Sequence, residues 1–395
     1  MKEYKLPKGF FASGVHCGVK RKRRDLALFY SEEPCNTTAL FTRNRAKAAP
    51  VILAQKQLKK NNLIRAVVVN SGNANCMTGK RGMKDAVKMA GTIAELLKVA
   101  ENEVLVSSTG IIGKFMPMDT ILKGLPSLVK KLSLSGLEGA SEGIMTTDRL
   151  KKIEIRFFSA GGKPITMTAV AKGAGMIKPD MATMLCYVMT DARVAKKALE
   201  KALKKATEVS FNAITVDGDM STNDTVMLMA NGKADNKIIK DKGKDFEIFQ
   251  KNLTDICTEI AKLVVRDGEG ANKLIEVRVK GARSVIDAKE AAGAIASSML
   301  VKCAVLGGDP NWGRIASAVG ASKAFFDINK LEIILDGVTL LKNSNFYEVD
   351  RRTSSIFKSS DVLIEVNLHN GKKEAVVFSC DISKKYITFN SFYTT

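Results

Sequence analysis

Residues 172–186 read KGAGMIKPDMATMLC. Two glycines loosen the chain behind Lys172, and Ala182-Thr183-Met184 sets a hydroxyl directly behind a small residue. This is the pattern of a self-cleavage site, at which Thr183 attacks the carbonyl before it and becomes a new chain start. A threonine at a free N-terminus carries its own base, because its α-amine sits beside its hydroxyl. Such an amine has a reference pKa of ~7.7–8.0, low enough for an appreciable neutral fraction near neutral pH. The chain has only two histidines, His16 and His369. A Ser-His-Asp arrangement would have to use one of them, and neither lies in a segment built for catalysis.

Outward from that stretch, strand-like and helix-like segments alternate. Strands are expected over 66–70, 103–107, 152–158, 165–171, 184–190 and 274–279, from short β-branched or alternating runs bounded by turn residues. Further strands are expected near 331–335, 362–366, 375–379 and 386–389. Apolar residues at helical spacing predict helices over 84–98, 194–209, 246–265 and 285–300. No internal repeat or low-complexity region interrupts the pattern. The fold class is α/β or α+β.

The length of 395 residues suggests two or three domains. Hydrophobic content of 45% and charged content of 26% are those of an ordinary globular protein. No apolar run reaches the ~18 residues of a membrane span, and the N-terminus has no secretory pattern. Seven cysteines, an odd number without CxxC spacing, fit a reducing compartment better than a disulfide framework. With so few histidines a zinc site is not expected. The reading is a cytoplasmic, metal-free protein. The net charge of +21 raises nucleic-acid binding. Its densest cluster is KRKRR at 20–24, however, and aromatics are only 6% of residues, with none interleaved as RNA-binding modules require. A solvated basic face is the better account.

Several turns are denser in Gly, Asn, Ser, Thr and Asp than a plain loop needs: NSGNAN at 70–75, SSTG at 107–110, DGD at 217–219, STND at 221–224, GEG at 268–270 and GGDPNWGR at 307–314. Polar loops at strand ends are where α/β proteins bind ligands. Thr109-Gly110 can present a hydroxyl and an N–H to an oxyanion, or be a plain turn. Lys172 can hold a carboxylate or simply be solvated. Glu269 can pair with an ammonium or be an exposed acid in a helix-stop loop. Neither GxG pattern, at 173–175 or 268–270, extends to the dinucleotide fingerprint.

With those residues in hand, the chain resembles the ornithine acetyltransferase (glutamate N-acetyltransferase, ArgJ) family over nearly its whole length. GVHCGVK, LFTRNRAKAAPV, VVNSGNAN, SSTGIIG, IMTTD, AKGAGMIKPDMATML, TVDGDMSTNDT, RDGEGA, GGDPNWGR and NSFYTT are similar to that family's blocks, in order. The resemblance implies a DmpA/ArgJ-like sandwich of sheets and helices. It also implies self-cleavage between Ala182 and Thr183 into an α chain (1–182) and a β chain, with 183–280 completing the catalytic domain and 281–395 forming a smaller C-terminal α+β domain. Thr183 would take acetyl from N-acetylornithine, release ornithine and acetylate glutamate, in ping-pong fashion. By motif match Thr109 and Gly110 would stabilise the oxyanion, and Thr147 or its neighbour Thr146, Lys172, Glu269, Asn390 and Thr395 would line the substrate site. No cofactor is implied; family members differ in whether acetyl-CoA is also a substrate. An α2β2 assembly is implied, with no nucleic-acid or membrane partner.

Three positions depart from the family pattern: Met220, Asn272 and Phe392. They bear on substrate preference more than on chemistry. A competing enzyme reading is an N-terminal-nucleophile amidohydrolase or aminopeptidase, which shares the activation step and hands the acyl group to water.

Overall fold

The structure is a computed structural model that describes residues 4–178, 184–349 and 356–392. Ala182, Thr183 and Thr395 therefore lie outside the described residues. The first body runs β1 (Phe10–Val15), β2 (Leu26–Phe41), α1 (Ala49–Lys60), β3 (Leu63–Asn73), α2 (Gly79–Leu97), β4 (Val104–Ile111), α3 (Met118–Lys130), α4 (Leu137–Ile144), β5 (Lys152–Ala160), β6 (Lys163–Lys172), β7 (Leu185–Thr190), α5 (Lys196–Val209), β8 (Thr225–Ala230) and α6 (Lys244–Arg266).

Strand β2 decides its shape. Its first half, Leu26 to Tyr30, pairs with β3, and its second half, Asn36 to Phe41, pairs with β8. The β2–β3 register shifts between Tyr30 and Cys35, so one strand serves two half-sheets, β1-β2-β3-β4 and β2-β8-β7-β6-β5. The two halves face each other. Ala27, Phe29, Val67, Val69 and Leu105 from one share a buried core with Val170, Tyr187, Met189, Met227 and Met229 from the other. The rings of Phe29 and Tyr187 meet across it at 5.0 Å.

The alternate side chains point outward, as the two-residue period of a strand requires. Leu26, Leu28, Val68 and Val106 pack under Met89 and Ile93 of α2 and Ile121 and Leu125 of α3. Met167, Ala169, Val188 and Leu228 pack under Leu199 and Leu203 of α5 and Phe249, Leu253 and Ile256 of α6. The layers are helix, sheet, sheet, helix. Strands covered on both faces must be apolar throughout, which is why residues 66–69 and 226–230 read as unbroken hydrophobic runs.

The second body comprises β9 (Leu274–Ala282), α7 (Val285–Ser297), α8 (Met299–Gly307), α9 (Trp312–Gly320), β10 (Glu332–Leu335), β11 (Val338–Lys342), β12 (Asn345–Phe346), β13 (Asp361–Asn367), β14 (Lys373–Cys380) and α10 (Lys384–Phe392). Its sheet has the order β12-β11-β10-β13-β9-β14 and packs against α7 and α9 around Ile295, Ile315 and Val319. The boundary expected between residues 280 and 281 falls inside β9. Among the described residues no single helix is long and apolar enough to cross a membrane.

Three local expectations are corrected. The helix predicted over 285–300 is two helices bent by 57°, because Ser298 closes α7 in an extended conformation and its Oγ accepts from Val301 N, starting α8. The strand expected at 386–389 is part of helix α10. Its β-prone composition is a weak prior that placement overrides: the Thr388 and Ser391 hydroxyls donate to the carbonyls four residues back. The clusters at 71–73 and 108–110, read as turns closing strands, instead lie within the C-terminal ends of β3 and β4, paired to each other.

Candidate active site

Strands β3, β4 and β6 end at the same edge of the sandwich at which β7 and β8 begin. A pocket of about 320 Å³ opens there. Of the six polar turns, five contribute to its walls: Ala74, Thr109-Gly110, Asp217 and Asp219, the 221–223 run, and Glu269. The turn at 307–314 joins α8 to α9 in the second body and does not line it. Thr146, Thr147, Lys172 and Asn390, expected at the substrate site, also face the pocket, and so do both members of the Thr146/Thr147 pair. The expected nucleophile Thr183 and the terminal Thr395 fall outside the described residues.

Gly110 is required by geometry. Its φ is +130°, and a Cβ there would stand 2.4 Å from the carbonyl carbon of Gly72 on the paired strand. Only glycine lets β3 and β4 close so tightly at the pocket rim. Asn223 locks the opposite side: its Nδ2 donates to Ala74 O at 2.7 Å and to Ser108 O at 2.8 Å, tying the entry to β8 to the ends of β3 and β4. Ser108 in turn donates to Asn70 Oδ1 at 2.6 Å.

The two GxG patterns turn out to be mates. Glu269 N donates to Ala174 O at 2.9 Å, and a Cβ on Gly175 would lie 2.6 Å from the Glu269 carboxyl carbon. Glycine at 175 is therefore what admits Glu269 to the wall. Its Oε2 accepts from Asn390 Nδ2 at 2.9 Å, bringing α10 over the pocket. Asp217 accepts from Met176 N at 2.5 Å and Ile177 N at 2.9 Å, and from the Tyr386 hydroxyl at 3.4 Å.

Lys172 is the buried cation of the site, 5% exposed, with its Nζ donating to Thr146 Oγ1 at 3.3 Å. Burial pushes its pKa down, against the pull of Asp148, Asp224 and Glu269. Burial pushes the Asp217 and Asp224 carboxyls up. Burial would raise Asp148 as well, but the Lys152 and Lys172 charges and the N–H of Gly173 hold it well below the usual carboxylate range. The pocket thus presents a cation on one side and carboxylates on the other, the arrangement a zwitterionic amino acid needs.

Several wall residues were not singled out from the sequence. Asp217, Asp219 and the 221–223 run stood in turns noted for polarity alone; Tyr386 was hidden because its segment read as a strand; Ile112, Gly175 and Met176 carry no chemical signal. Among the departures from the family pattern, Met220, Asn272 and Phe392 do not line the pocket. Asn272 instead holds Asp381 at 3.0 Å, and Phe392 is 86% exposed.

With this geometry in view, the comparisons with known proteins are consistent. The ArgJ family matches residues 11–395. The arginine biosynthesis bifunctional protein ArgJ of Caldanaerobacter subterraneus subsp. tengcongensis is 47% identical over 395 residues, covering 99% of this chain and 98% of that protein. The protein of the same name from Geobacter sulfurreducens is 45% identical over 391 residues, covering 98% of this chain and 99% of that one. A crystal structure of arginine biosynthesis bifunctional protein ArgJ from Bacillus halodurans superposes with a TM-score of 0.51 at 39% identity, covering 52% of this chain and 98% of the solved chain. At nearly half identity along the whole of both sequences, the chain belongs to the ArgJ family.

Proposed function

We propose that this protein is an acetyltransferase of arginine biosynthesis that moves the acetyl group of N-acetylornithine to glutamate through Thr183, exposed by cleavage after Ala182. The observation that carries the reading is the two-signed pocket. N-acetylornithine and glutamate share an α-carboxylate but end in opposite charges, an ammonium and a second carboxylate. Lys172 supplies a partner for a carboxylate, and Glu269, Asp217 and Asp219 for an ammonium. A site that must accept both in turn needs both signs.

In this reading Thr183 Oγ attacks the acetyl carbonyl while its proton passes to the Thr183 α-amine. Thr109 and Gly110, at the pocket rim, face the developing oxyanion. The acetyl C–N bond breaks, the proton goes to the departing amine, and ornithine leaves. The glutamate amine then attacks the acetyl ester, its proton goes to the Thr183 amine, and that amine passes a proton to Thr183 Oγ as the ester C–O bond breaks, so the hydroxyl and the neutral amine are restored. Asn390 on the C-terminal helix lines the pocket, and the family resemblance assigns Thr395 to the substrate site with it. The naming of relatives as bifunctional biosynthetic proteins supports transfer to an amino acid over hydrolysis, and the transfer as written needs no cofactor. A solved relative's chain that corresponds to about half of this one supports an enzyme working as two pieces; the assembly proposed for them, by family resemblance, is α2β2. The free state of all the cysteines among the described residues supports a reducing, cytoplasmic setting.

Intact mass and acetyl transfer measured on one preparation test the proposal. The expected result is two pieces, the second beginning at Thr183, with N-acetylornithine-dependent acetylation of glutamate. Thr183→Ala should abolish both cleavage and transfer, and Thr183→Ser should keep part of each. A fully active chain that remains in one piece would overturn the mechanism.

A further inference from the structure

We propose that Tyr386 is the specificity-determining residue for the side-chain ends of both substrates, its hydroxyl accepting from the ammonium of N-acetylornithine and donating to the side-chain carboxylate of glutamate. The inference rests on the reading of this pocket as the acetyl-transfer site. The two ligands make opposite demands. An ammonium only donates hydrogen bonds, and a carboxylate only accepts them. Asp217, Asp219 and Glu269 on the pocket wall are acceptors when ionised, so by themselves they suit the first ligand and repel the second. A hydroxyl answers both, with one hydrogen to give and lone pairs to receive.

Tyr386 brings its phenol to this wall. The hydroxyl lies 3.4 Å from Asp217 Oδ2, long for a hydrogen bond between oxygens. Asp217 is held by shorter bonds, from Met176 N at 2.5 Å, Ile177 N at 2.9 Å and Asp219 N at 3.2 Å. The carboxylate is fixed and the phenol only loosely engaged, so its hydrogen can turn to a ligand. Burial, with Asp217, Glu269 and Asp219 nearby, pushes the phenol's pKa up, and it keeps the hydrogen it must donate. Burial also pushes the Asp217 carboxyl up, which lessens the repulsion a second carboxylate meets there.

The helix that carries Tyr386 is arranged around it. In α10 only Tyr386 is half-buried; every other residue is exposed, Ile387 at 65% and Phe392 at 86%. A helix seated for packing would turn its apolar residues inward, whereas this one turns a tyrosine into a pocket. The GEG turn fixes its start. Ser383 Oγ donates to Gly270 O at 2.7 Å, and a Cβ on Gly270, at φ +74°, would stand 2.7 Å from Tyr386 N. Asn390, one turn further on the same face, donates to Glu269 Oε2 at 2.9 Å and to Tyr386 O at 3.1 Å. The helix thus sets two neutral donors, a phenol and an amide, against the acids Asp217 and Glu269, and either charge finds a partner.

The test uses the full-length protein, with Tyr386→Phe removing only the hydroxyl. KM for N-acetylornithine and KM for glutamate should each rise at least about tenfold, the loss of a hydrogen bond to a charged group, with kcat within about threefold of the parent. Norvaline lacks the side-chain ammonium of ornithine, and 2-aminobutyrate lacks the side-chain carboxylate of glutamate. As competing inhibitors, both should show inhibition constants that agree within about twofold between parent and variant, or lie beyond reach in both. Weakening of these analogues alongside the substrates would mean that Tyr386 merely keeps the wall in shape, and would overturn the assignment. So would an unchanged KM for either substrate, a loss confined to kcat, or a variant that does not fold. The parent enzyme is assayed alongside: no acetyl transfer by it would sink the functional reading itself, a result separable from any effect of Tyr386.

Discussion

At the scale of single residues, the site is held by a buried charge cluster lying just behind it. Lys152 Nζ stands 2.6 Å from Asp148 Oδ1 and 2.6 Å from Asp267 Oδ2, with all three side chains inaccessible to solvent. Asp148 also accepts from the N–H groups of Thr146 and Gly173, and Asp267 from those of Arg149 and Leu150. One ammonium therefore sets the spacing between the Thr146-Thr147 wall, the end of β6 that carries Lys172, and the turn that carries Glu269. Removing it would leave two buried carboxylates facing one another. Breaking a buried pair by deleting one partner costs ~3–5 kcal/mol. Lys152→Met should lower the denaturant midpoint by a corresponding amount and raise KM for both substrates, although Lys152 does not itself line the pocket. A midpoint unchanged from the parent, measured by urea unfolding, would show that the cluster does not hold these walls.

At the scale of elements, the catalytic edge depends on β3 and β4 ending together, and Gly110 makes that closure. Gly110→Ala would need a left-handed backbone and would drive a methyl into Gly72. The rim would spring apart and misplace the N–H groups there. Losing one oxyanion donor typically lowers kcat by ~10²–10³. Gly110→Ala should show a fall of that order with a smaller change in KM, measured by steady-state kinetics on cleaved protein; near-parent kcat would argue that the rim is not the oxyanion site. The same elements show what was legible beforehand. Short unbroken β-branched runs such as residues 66–69 announced central strands, and turns rich in Asn, Ser, Gly and Asp marked strand ends, because local backbone chemistry dictates both. That GAG at 173–175 mates with GEG at 268–270 was not legible, since the pairing is a tertiary event about a hundred residues apart. The Lys152 cluster was hidden for the same reason. Tyr386 was lost to composition: aromatic and β-branched neighbours favour a strand until a chain has somewhere better to go, and α10 goes back to the pocket. The residues that carry the family resemblance did point to Thr109, Gly110, Thr146, Thr147, Lys172, Glu269 and Asn390, which the fold gathers around one cavity.

At the scale of the whole molecule, the two bodies are joined close to the site. Ile214 bridges to Phe378, and Thr215 N donates to Phe378 O at 3.0 Å. Behind that seam lies Lys302, on α8 and 2% exposed, its Nζ donating to Val216 O at 2.9 Å, Ser379 Oγ at 2.6 Å and Cys380 O at 2.9 Å. Val216 precedes Asp217, which holds the Met176 and Ile177 amides and meets Tyr386. Besides the α10 residues that line the pocket, the second body thus supports the Asp217 turn through this lysine. Burial lowers the pKa of Lys302, with Cys380, Asp217 and Asp381 pulling the other way. A lysine depressed in this way releases its proton first in the native state. Between its native pKa and the ~10.4 of an unfolded chain, the unfolded state binds the extra proton, so this residue's contribution to stability rises with pH over that window. Lys302→Met keeps the stem but loses the donors and the titration. Three acceptors left without a donor should cost ~1–3 kcal/mol, and release of the Asp217 turn should raise KM several-fold. Urea midpoints of the parent and the variant, compared near neutral pH and again at about pH 9.5, should diverge further at the higher pH. A gap that is constant or narrows with pH, or an unchanged KM, would mean that the seam between the bodies does not set the geometry of the pocket.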